Sequence, residues 1–217
     1  MRLILALLFL ISPVLGSAAE PLVILLGDSI RMNYQQVVKA ELKDNARVWS
    51  PKDNCRHTAF VLENLDRWLG EAKGKPKVIH LNVGLHDMYL NAKTGKTRHT
   101  LAVYEKNLRA IFTKLQKDTN ARIVFALTTA VIEERQAKSK GYRRVVRKNI
   151  DINRFNAKAR EIAKEMNIEL NDLNAFMQRT GSAKILRESD GIHLSPEGCQ
   201  LIGREVARVI AKVLNGK

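Results

Sequence analysis

The sequence predicts an α/β protein, a three-layer α/β/α sandwich built around a central parallel sheet of about five strands. Short apolar runs alternate with amphipathic segments along the chain, and the longest runs are apolar on almost every residue. Strands with this composition are typically buried on both faces, as in a parallel sheet covered by helices. Alternating strands and helices favour parallel pairing through right-handed crossovers, which gives one sheet between two helix layers.

Five short segments are predicted as strands. The first run, at residues 22–26, reads LVILL, and the fourth, at residues 123–127, reads IVFAL. Both lack the alternation of polar and apolar residues that is typical of a half-exposed strand. The three other strands are predicted over residues 46–49, 78–83 and 168–170.

Five segments with apolar residues at helical spacing follow these strands. The helices are predicted over residues 30–42, 58–69, 101–115, 152–166 and about 196–214. The last helix has clear start signals, with Ser195 at the N-cap, Pro196 at the first helical position and Glu197 in the first turn. These residue types satisfy or complement the unpaired N–H groups at a helix N-terminus.

The first 19 residues are typical of a secretory signal peptide. Arg2 precedes an apolar run at residues 3–11, and small residues end the segment at Ala18 and Ala19. The alternative, a membrane anchor, requires about 20 apolar residues, and this run is shorter. We therefore expect an exported protein, periplasmic or secreted, without a stable transmembrane segment after cleavage. Residues 20–217 have the length of a single domain.

The charge of the chain bears on its partners. The sequence has 37 Lys and Arg residues against 22 Asp and Glu residues, a formal net charge of +15. For an exported protein this excess favours an anionic polysaccharide, an anionic membrane surface or simply a solvated coat. Nucleic acid is not an expected partner, because no nucleic-acid-binding motif is found. The oligomeric state stays open.

The sequence contains only two cysteines, Cys55 and Cys199. Export permits a disulfide, so a bonded pair and two unlinked thiols both remain open. Two cysteines without a CxxC motif do not indicate a zinc site. A metal site formed by His86, Asp87 and His193 is a weaker alternative, because adjacent His and Asp residues are common.

Polar residues collect where the predicted strands end. Ser29 follows the first strand, and Asp190 and His193 lie just before the last helix. In sheets of this type, sites form beyond the carboxyl ends of the strands, so these three residues are expected on one rim. A hydroxyl, an imidazole and a carboxylate are what nucleophilic acyl transfer requires. The unpaired N–H groups of the helix that begins near Ser29 would favour an oxyanion beside it.

Three motifs in this order resemble the SGNH/GDSL hydrolase family. They are GDS after the first strand, G-x-x-D after the third, and D-x-x-H before the last helix, and they cover the whole mature chain. The resemblance implies a flavodoxin-like three-layer fold with no cofactor and no metal. It also implies that Ser29 is the nucleophile, that His193 is the general base and that Asp190 is the partner of His193.

Two blocks depart from the family pattern. The second block lacks the usual glycine, so the backbone N–H of Cys55 or Arg56 is the candidate oxyanion donor beside that of Ser29. The third block reads GLHD, and His86 stands where the family has an asparagine donor. A neutral imidazole has one N–H, so we predict that His86 is an oxyanion donor, with a packing role as the alternative. The remaining candidate substrate-binding residues in these blocks are Asp28, Asn54, Gly84 and Asp87.

A basic segment at residues 129–148 leaves the same rim after the fourth strand. We expect a long loop there, either a wall that holds an anionic substrate or a solvated charge run. Its charged and aromatic residues include Arg135, Lys138, Lys140, Tyr142, Arg143, Arg144, Arg147 and Lys148.

The function predicted from these observations is an exported serine esterase that hydrolyses an acyl ester, in the first place an acetyl ester on a carbohydrate. The substrate would be an acylated small molecule or polysaccharide, with anionic substrates among the candidates. One alternative is a lysophospholipase or thioesterase that acts on lipid acyl esters. The other is a catalytically inert polysaccharide-binding protein with the same fold, suggested by the altered second and third blocks.

Overall fold

The central sheet of the protein contains five parallel strands in the order β2-β1-β3-β5-β7. A computed structural model describes residues 20–140 and 145–216. In chain order the strands are β1 (Leu22–Gly27), β2 (Arg47–Trp49), β3 (Pro76–Asn82), β4 (Leu90–Asn91), β5 (Arg122–Ala126), β6 (Val145–Val146) and β7 (Glu169–Asn171). Strands β4 and β6 form a separate antiparallel ribbon.

The helices cover the sheet and confirm the predicted three-layer class. They are α1 (Ser29–Glu41), α2 (Thr58–Glu71), α3 (Leu101–Asp118), α4 (Glu133–Lys138), α5 (Asn149–Glu165), α6 (Leu173–Thr180), α7 (Ser182–Ile185) and α8 (Pro196–Leu214). Helix α1 packs against α8, while α3 packs against both α2 and α5. Given the strand order, right-handed crossovers place these two groups of helices on opposite faces.

The core lies between these layers because the strands at the centre of the sheet are covered on both faces. Every residue of β1 is buried, and β3 is buried from Val78 to Asn82. Helix α8 has the widest apolar stripe, with eight buried residues facing β3 and α1. All five strands run in one direction, so the loops that follow β1, β2, β3 and β5 share one rim.

Within the described residues of segment 129–148, α4 and β6 interrupt the expected long loop. Helix α4 begins with Glu133 and Glu134, whose negative charges favour a helix N-terminus. The side chain of Gln136 is buried and bonds to both the backbone N–H and the backbone carbonyl of Arg147, at 2.9 and 2.8 Å. Neither α4 nor β6 was predicted, because charged residues dominate this segment and its apolar residues show no helical or strand period.

Some predictions fall outside the described residues. The signal peptide at residues 1–19 lies there, as do Tyr142, Arg143 and Arg144 of the basic segment. Within the part of the chain that the structure does describe, no helix is both long and apolar enough to cross a bilayer. The question left open for Cys55 and Cys199 is answered, because both are free thiols.

Candidate active site

Ser29 is the first residue of α1 and lies two residues beyond the end of β1. The intervening Asp28 is the N-cap of this helix, and its carboxylate accepts the N–H of Ile30 at 2.9 Å. Glycine is required at position 27, since a Cβ atom there would lie 2.4 Å from the side-chain oxygen of Asn82. The nucleophile candidate therefore sits at a helix N-terminus, where unpaired N–H groups and the helix dipole favour negative charge.

The turn before α8 brings an imidazole and a carboxylate to Ser29. The ring Nε2 of His193 lies 3.0 Å from the Oγ of Ser29, and its Nδ1 lies 2.9 Å from Oδ2 of Asp190. The other oxygen of Asp190 accepts the backbone N–H groups of Ile192 and His193, at 2.7 and 2.9 Å. The intervening Gly191 has a φ of +64°, and a Cβ there would lie 2.5 Å from the carbonyl oxygen of Ile132.

These contacts keep the carboxylate ionised. Burial alone would raise the pKa of Asp190, but the hydrogen bonds from Ile192 and His193 hold that pKa below its usual value. A charged carboxylate on Nδ1 fixes the ring tautomer that leaves Nε2 able to accept a proton. The three groups are within the distances at which a base takes a proton from a hydroxyl.

The second loop does not offer the expected backbone donors. The N–H of Cys55 donates to the carbonyl of Gly27 at 3.0 Å, and the N–H of Arg56 donates to the side-chain oxygen of Asn54 at 2.8 Å. Both groups thus have acceptors inside the protein, which corrects the expectation that either one awaits an oxyanion in this conformation. Arg56 has a φ of +51°, a left-handed conformation that favours glycine, the residue the SGNH/GDSL family usually has in this block.

The third loop presents His86 as a neutral imidazole. Burial, and then the positive charges of Arg147 and Arg98, lower the pKa of His86 to about 3. A neutral ring has one N–H to donate at any pH at which an esterase would ordinarily work. Gly84 opens this loop with a φ of +145°, and a Cβ there would lie 2.6 Å from the hydroxyl of Thr128.

Three candidate substrate-binding residues are engaged in structural contacts. The fully buried carboxylate of Asp87 accepts the N–H and hydroxyl of Thr58, at 3.1 and 2.5 Å, and pairs with the ring of His99 at 2.7 Å. The side chain of Asp28 is the N-cap of α1, and the side-chain oxygen of Asn54 accepts the N–H of Arg56 within the second loop. Burial raises the pKa of Asp28 to about 6, although the hydrogen bond from Ile30 and the charges of nearby arginines lower it in part.

Two buried arginines hold the rim together, and the sequence patterns did not single them out for this role. The guanidinium of Arg31, one turn into α1, donates to the carbonyls of Gly27, Pro51 and Asp53. The guanidinium of Arg147 donates to the carbonyl of Leu85 in the third loop at 3.2 Å. The position of Arg31 among the apolar residues of α1 could have indicated its role. Arg147 gave no such signal, because it lies within a run of basic residues.

The structure combines an α/β/α sandwich with a serine, a histidine and an aspartate hydrogen-bonded in series at one rim. A sequence profile of the GDSL-like lipase/acylhydrolase family matches residues 25–201, which include all three side chains. The chain belongs to this family.

Among known proteins the chain is 28% identical to the GDSL esterase/lipase CPRD49 of Arabidopsis thaliana over 144 residues. This match covers 64% of the chain and 56% of CPRD49, so the chain spans just over half the length of that relative. The fold is also similar to a lipase/acylhydrolase from Enterococcus faecalis, with a TM-score of 0.70, 20% identity and coverage of 88% and 95% of the two chains. The acetyl xylan esterase AlAXEase has a TM-score of 0.66, 20% identity and coverage of 87% and 99%.

Proposed function

We propose that the protein is an exported esterase that removes acetyl groups from a carbohydrate. The observation that carries this proposal is the series of contacts from the Oγ of Ser29 through the ring of His193 to Asp190, at 3.0 and 2.9 Å. Contacts of this length support Ser29 as the nucleophile, His193 as the base and Asp190 as the group that orients the base.

In the proposed mechanism, Ser29 attacks the ester carbonyl carbon while Nε2 of His193 takes the hydroxyl proton. The carbonyl π electrons move to the oxygen, which becomes an oxyanion, and Asp190 stabilises the imidazolium. Collapse of this intermediate breaks the bond to the alcohol, which leaves with the proton from His193. Water then attacks the acyl-enzyme and gives one proton to the same nitrogen. Collapse of this second intermediate breaks the bond to Oγ of Ser29, which takes that proton from His193, and acetic acid leaves.

The oxyanion would be met by the N–H of Ser29 and the ring N–H of His86. The first group is at the N-terminus of α1, where a helix provides no internal acceptor. The second belongs to a ring that stays neutral because burial lowers its pKa to about 3. Donors aimed at the developing charge are usually the largest single contribution to this chemistry.

The acetyl and carbohydrate assignments are supported by one similar structure and by the leader and charge of the chain. One similar structure is named an acetyl xylan esterase, although its 20% identity supports the fold alone. The signal-like leader and the net charge of +15 agree with a substrate outside the cytoplasm, such as a polysaccharide.

Labelling with a fluorophosphonate tests the chemistry directly. The wild-type protein should be labelled and Ser29→Ala should not be, because the probe reacts only with an activated hydroxyl. Ser139→Ala, on the distant end of α4, is the matched control and should be labelled like the wild type. Absence of labelling in the wild type would instead support an inert binding protein.

Acyl-chain selectivity tests the substrate proposal. Aryl acetate and aryl octanoate should be hydrolysed with a steep preference for acetate, measured as kcat/KM. A preference for octanoate would contradict deacetylation and favour the lysophospholipase or thioesterase alternative.

A further inference from the structure

Two exposed arginines stand beside the candidate active site, each on an aromatic ring. The guanidinium of Arg56 lies 4.7 Å from the ring centroid of Phe60, and that of Arg98 lies 4.4 Å from the centroid of Tyr89. Arg98 also donates to the hydroxyl of Tyr89. Stacking on a ring fixes the plane of a guanidinium while its N–H edge stays available to a ligand. We call Arg56 and Arg98 the arginine pair.

The arginine pair borders the two loops that approach Ser29. Arg56 follows Cys55, whose N–H is bonded to the end of β1. Arg98 precedes His99, which is bonded to Asp87 of the third loop. The positive charge of Arg98 also contributes to lowering the pKa of His86, so this member of the pair and the proposed oxyanion donor share one electrostatic environment.

Neither member of the arginine pair forms a salt bridge within the described residues. The nearby carboxylates are engaged elsewhere, since Asp53 pairs with Arg67 at 2.5 Å and Asp87 pairs with His99 at 2.7 Å. Several arginines on the outer helices, by contrast, have carboxylate partners: Arg67, Arg109, Arg160 and Arg208.

The two members of the pair also repel one another. Burial and the charge of Arg56 lower the pKa of Arg98, although the carboxylate of Asp87 opposes this shift. Two like charges that repel one another are stabilised when an anion binds beside them. The planar N–H edges of guanidinium groups match a carboxylate in geometry as well as in charge.

We infer that the arginine pair is a subsite for a carboxylate on the alcohol portion of the substrate, so that the substrate is the acetyl ester of an acidic saccharide. This inference rests on the proposed esterase function. The acetyl group itself carries no charge, so the anion must belong to the part of the substrate that leaves first.

Two saccharide esters that differ only in this charge test the inference. They are peracetylated methyl glucuronoside and its methyl ester, with acetate release measured for both. We expect a kcat/KM for the charged compound at least tenfold above that for the neutral one. Arg98→Gln and Arg56→Gln should each reduce this ratio by about tenfold, the effect expected for loss of one charge-assisted hydrogen bond. Arg98→Lys should give an intermediate ratio.

The matched control is Arg208→Gln, which removes the same charge from an exposed position more than three turns along α8 from the site. Its ratio should equal that of the wild type. Equal rates on both saccharides in the wild type, or a ratio that Arg98→Gln leaves unchanged, would overturn the inference while the esterase function stands. Failure of Ser29 to react with the fluorophosphonate would instead contradict the proposed function itself.

Discussion

At the scale of single residues, His86 is the position where this chain departs most from the family motif. An imidazole in place of an amide can serve as a hydrogen-bond donor only if its protonation state is fixed. Burial and the charge of Arg147 do this by lowering the pKa of His86 to about 3. The ring therefore carries one N–H across the neutral range, as a side-chain amide would carry its own donors.

We predict that His86→Ala lowers kcat on aryl acetate by about a hundredfold or more, since one oxyanion donor contributes roughly 3–4 kcal/mol. His86→Asn should recover part of the loss, because an amide N–H can approach the same oxyanion. Steady-state kinetics on both purified variants measures the effect. Near-wild-type turnover in His86→Ala would show that the ring only packs in the loop.

Arg31 determines where the second loop lies. Its fully buried guanidinium supplies hydrogen bonds to backbone carbonyls from β1 and from the loop, and to the side chain of Gln35 at 2.6 Å. Several buried acceptors depend on this one side chain. Each acceptor that loses its donor typically lowers the free energy of unfolding by about 1–3 kcal/mol.

We predict that Arg31→Met lowers the free energy of unfolding by about 3 kcal/mol or more, and that Arg31→Lys has a smaller effect, because an ammonium keeps the charge but not the planar fork. Urea unfolding followed by circular dichroism measures both. Arg67→Met is the control, since its salt bridges lie at the surface, where solvent screens the charges. Similar losses for Arg31→Met and Arg67→Met would contradict this role.

At the scale of elements, the short helix α4 and the ribbon of β4 and β6 show how the basic segment is ordered. The side-chain amide of Gln136 bonds to both the N–H and the carbonyl of Arg147, the backbone groups that a neighbouring strand would otherwise pair. Arg147 in turn donates to the third loop. A side chain on α4 is thereby linked through two contacts to the loop that carries His86.

We predict that Gln136→Leu raises the hydrogen-exchange rate of the Arg147 amide by about fivefold or more, since the bond removed is worth at least about 1 kcal/mol. Exchange followed by NMR or mass spectrometry reports this change. Gln178→Leu is the matched control, because Gln178 bonds only to Asn174 within α6. Unchanged exchange at Arg147 would show that the ribbon is held by other contacts.

Element prediction succeeded where one physical signal dominated. The five sheet strands are confirmed, and the continuous apolar runs of β1 and β5 were the clearest signal, because such runs have few alternatives in a folded chain. Helix α4, the β4–β6 ribbon and the short helices α6 and α7 were not predicted. Their stability comes from contacts made after the sheet has formed, so local periodicity carries little information about them.

At the scale of the whole molecule, buried titratable groups make stability depend on pH. His80 lies inside β3, where burial lowers its pKa to about 3. The unfolded chain, with a pKa near 6.5, binds more protons below that value, so this residue destabilises the fold as the pH falls from 6.5 towards 3. Asp28 acts in the opposite direction, because its raised pKa of about 6 adds stability at low pH that is lost as the pH rises through 6.

We predict that His80→Gln flattens the pH dependence of unfolding. Between pH 6.5 and 5 the wild type should lose about 2 kcal/mol more than the variant, since each pH unit in this range changes the contribution of His80 by about 1.4 kcal/mol. Asp28 is present in both proteins and cancels from the comparison. Chemical denaturation at several pH values measures the slopes, and parallel slopes would contradict the assignment.

The sequence by itself determined the order of strands and helices, the placement of Ser29 at a strand end, and the pairing of Asp190 with His193, because these depend on apolar patterning and short spacings. Only the tertiary structure decided which polar groups near the site already have hydrogen-bond partners within the protein. In the folded protein, the N–H groups of Cys55 and Arg56 donate to other acceptors, and the carboxylate of Asp87 bonds to Thr58 and His99. Buried polar groups are satisfied by whichever partners the fold brings near, and those partners come from distant segments that no local pattern connects.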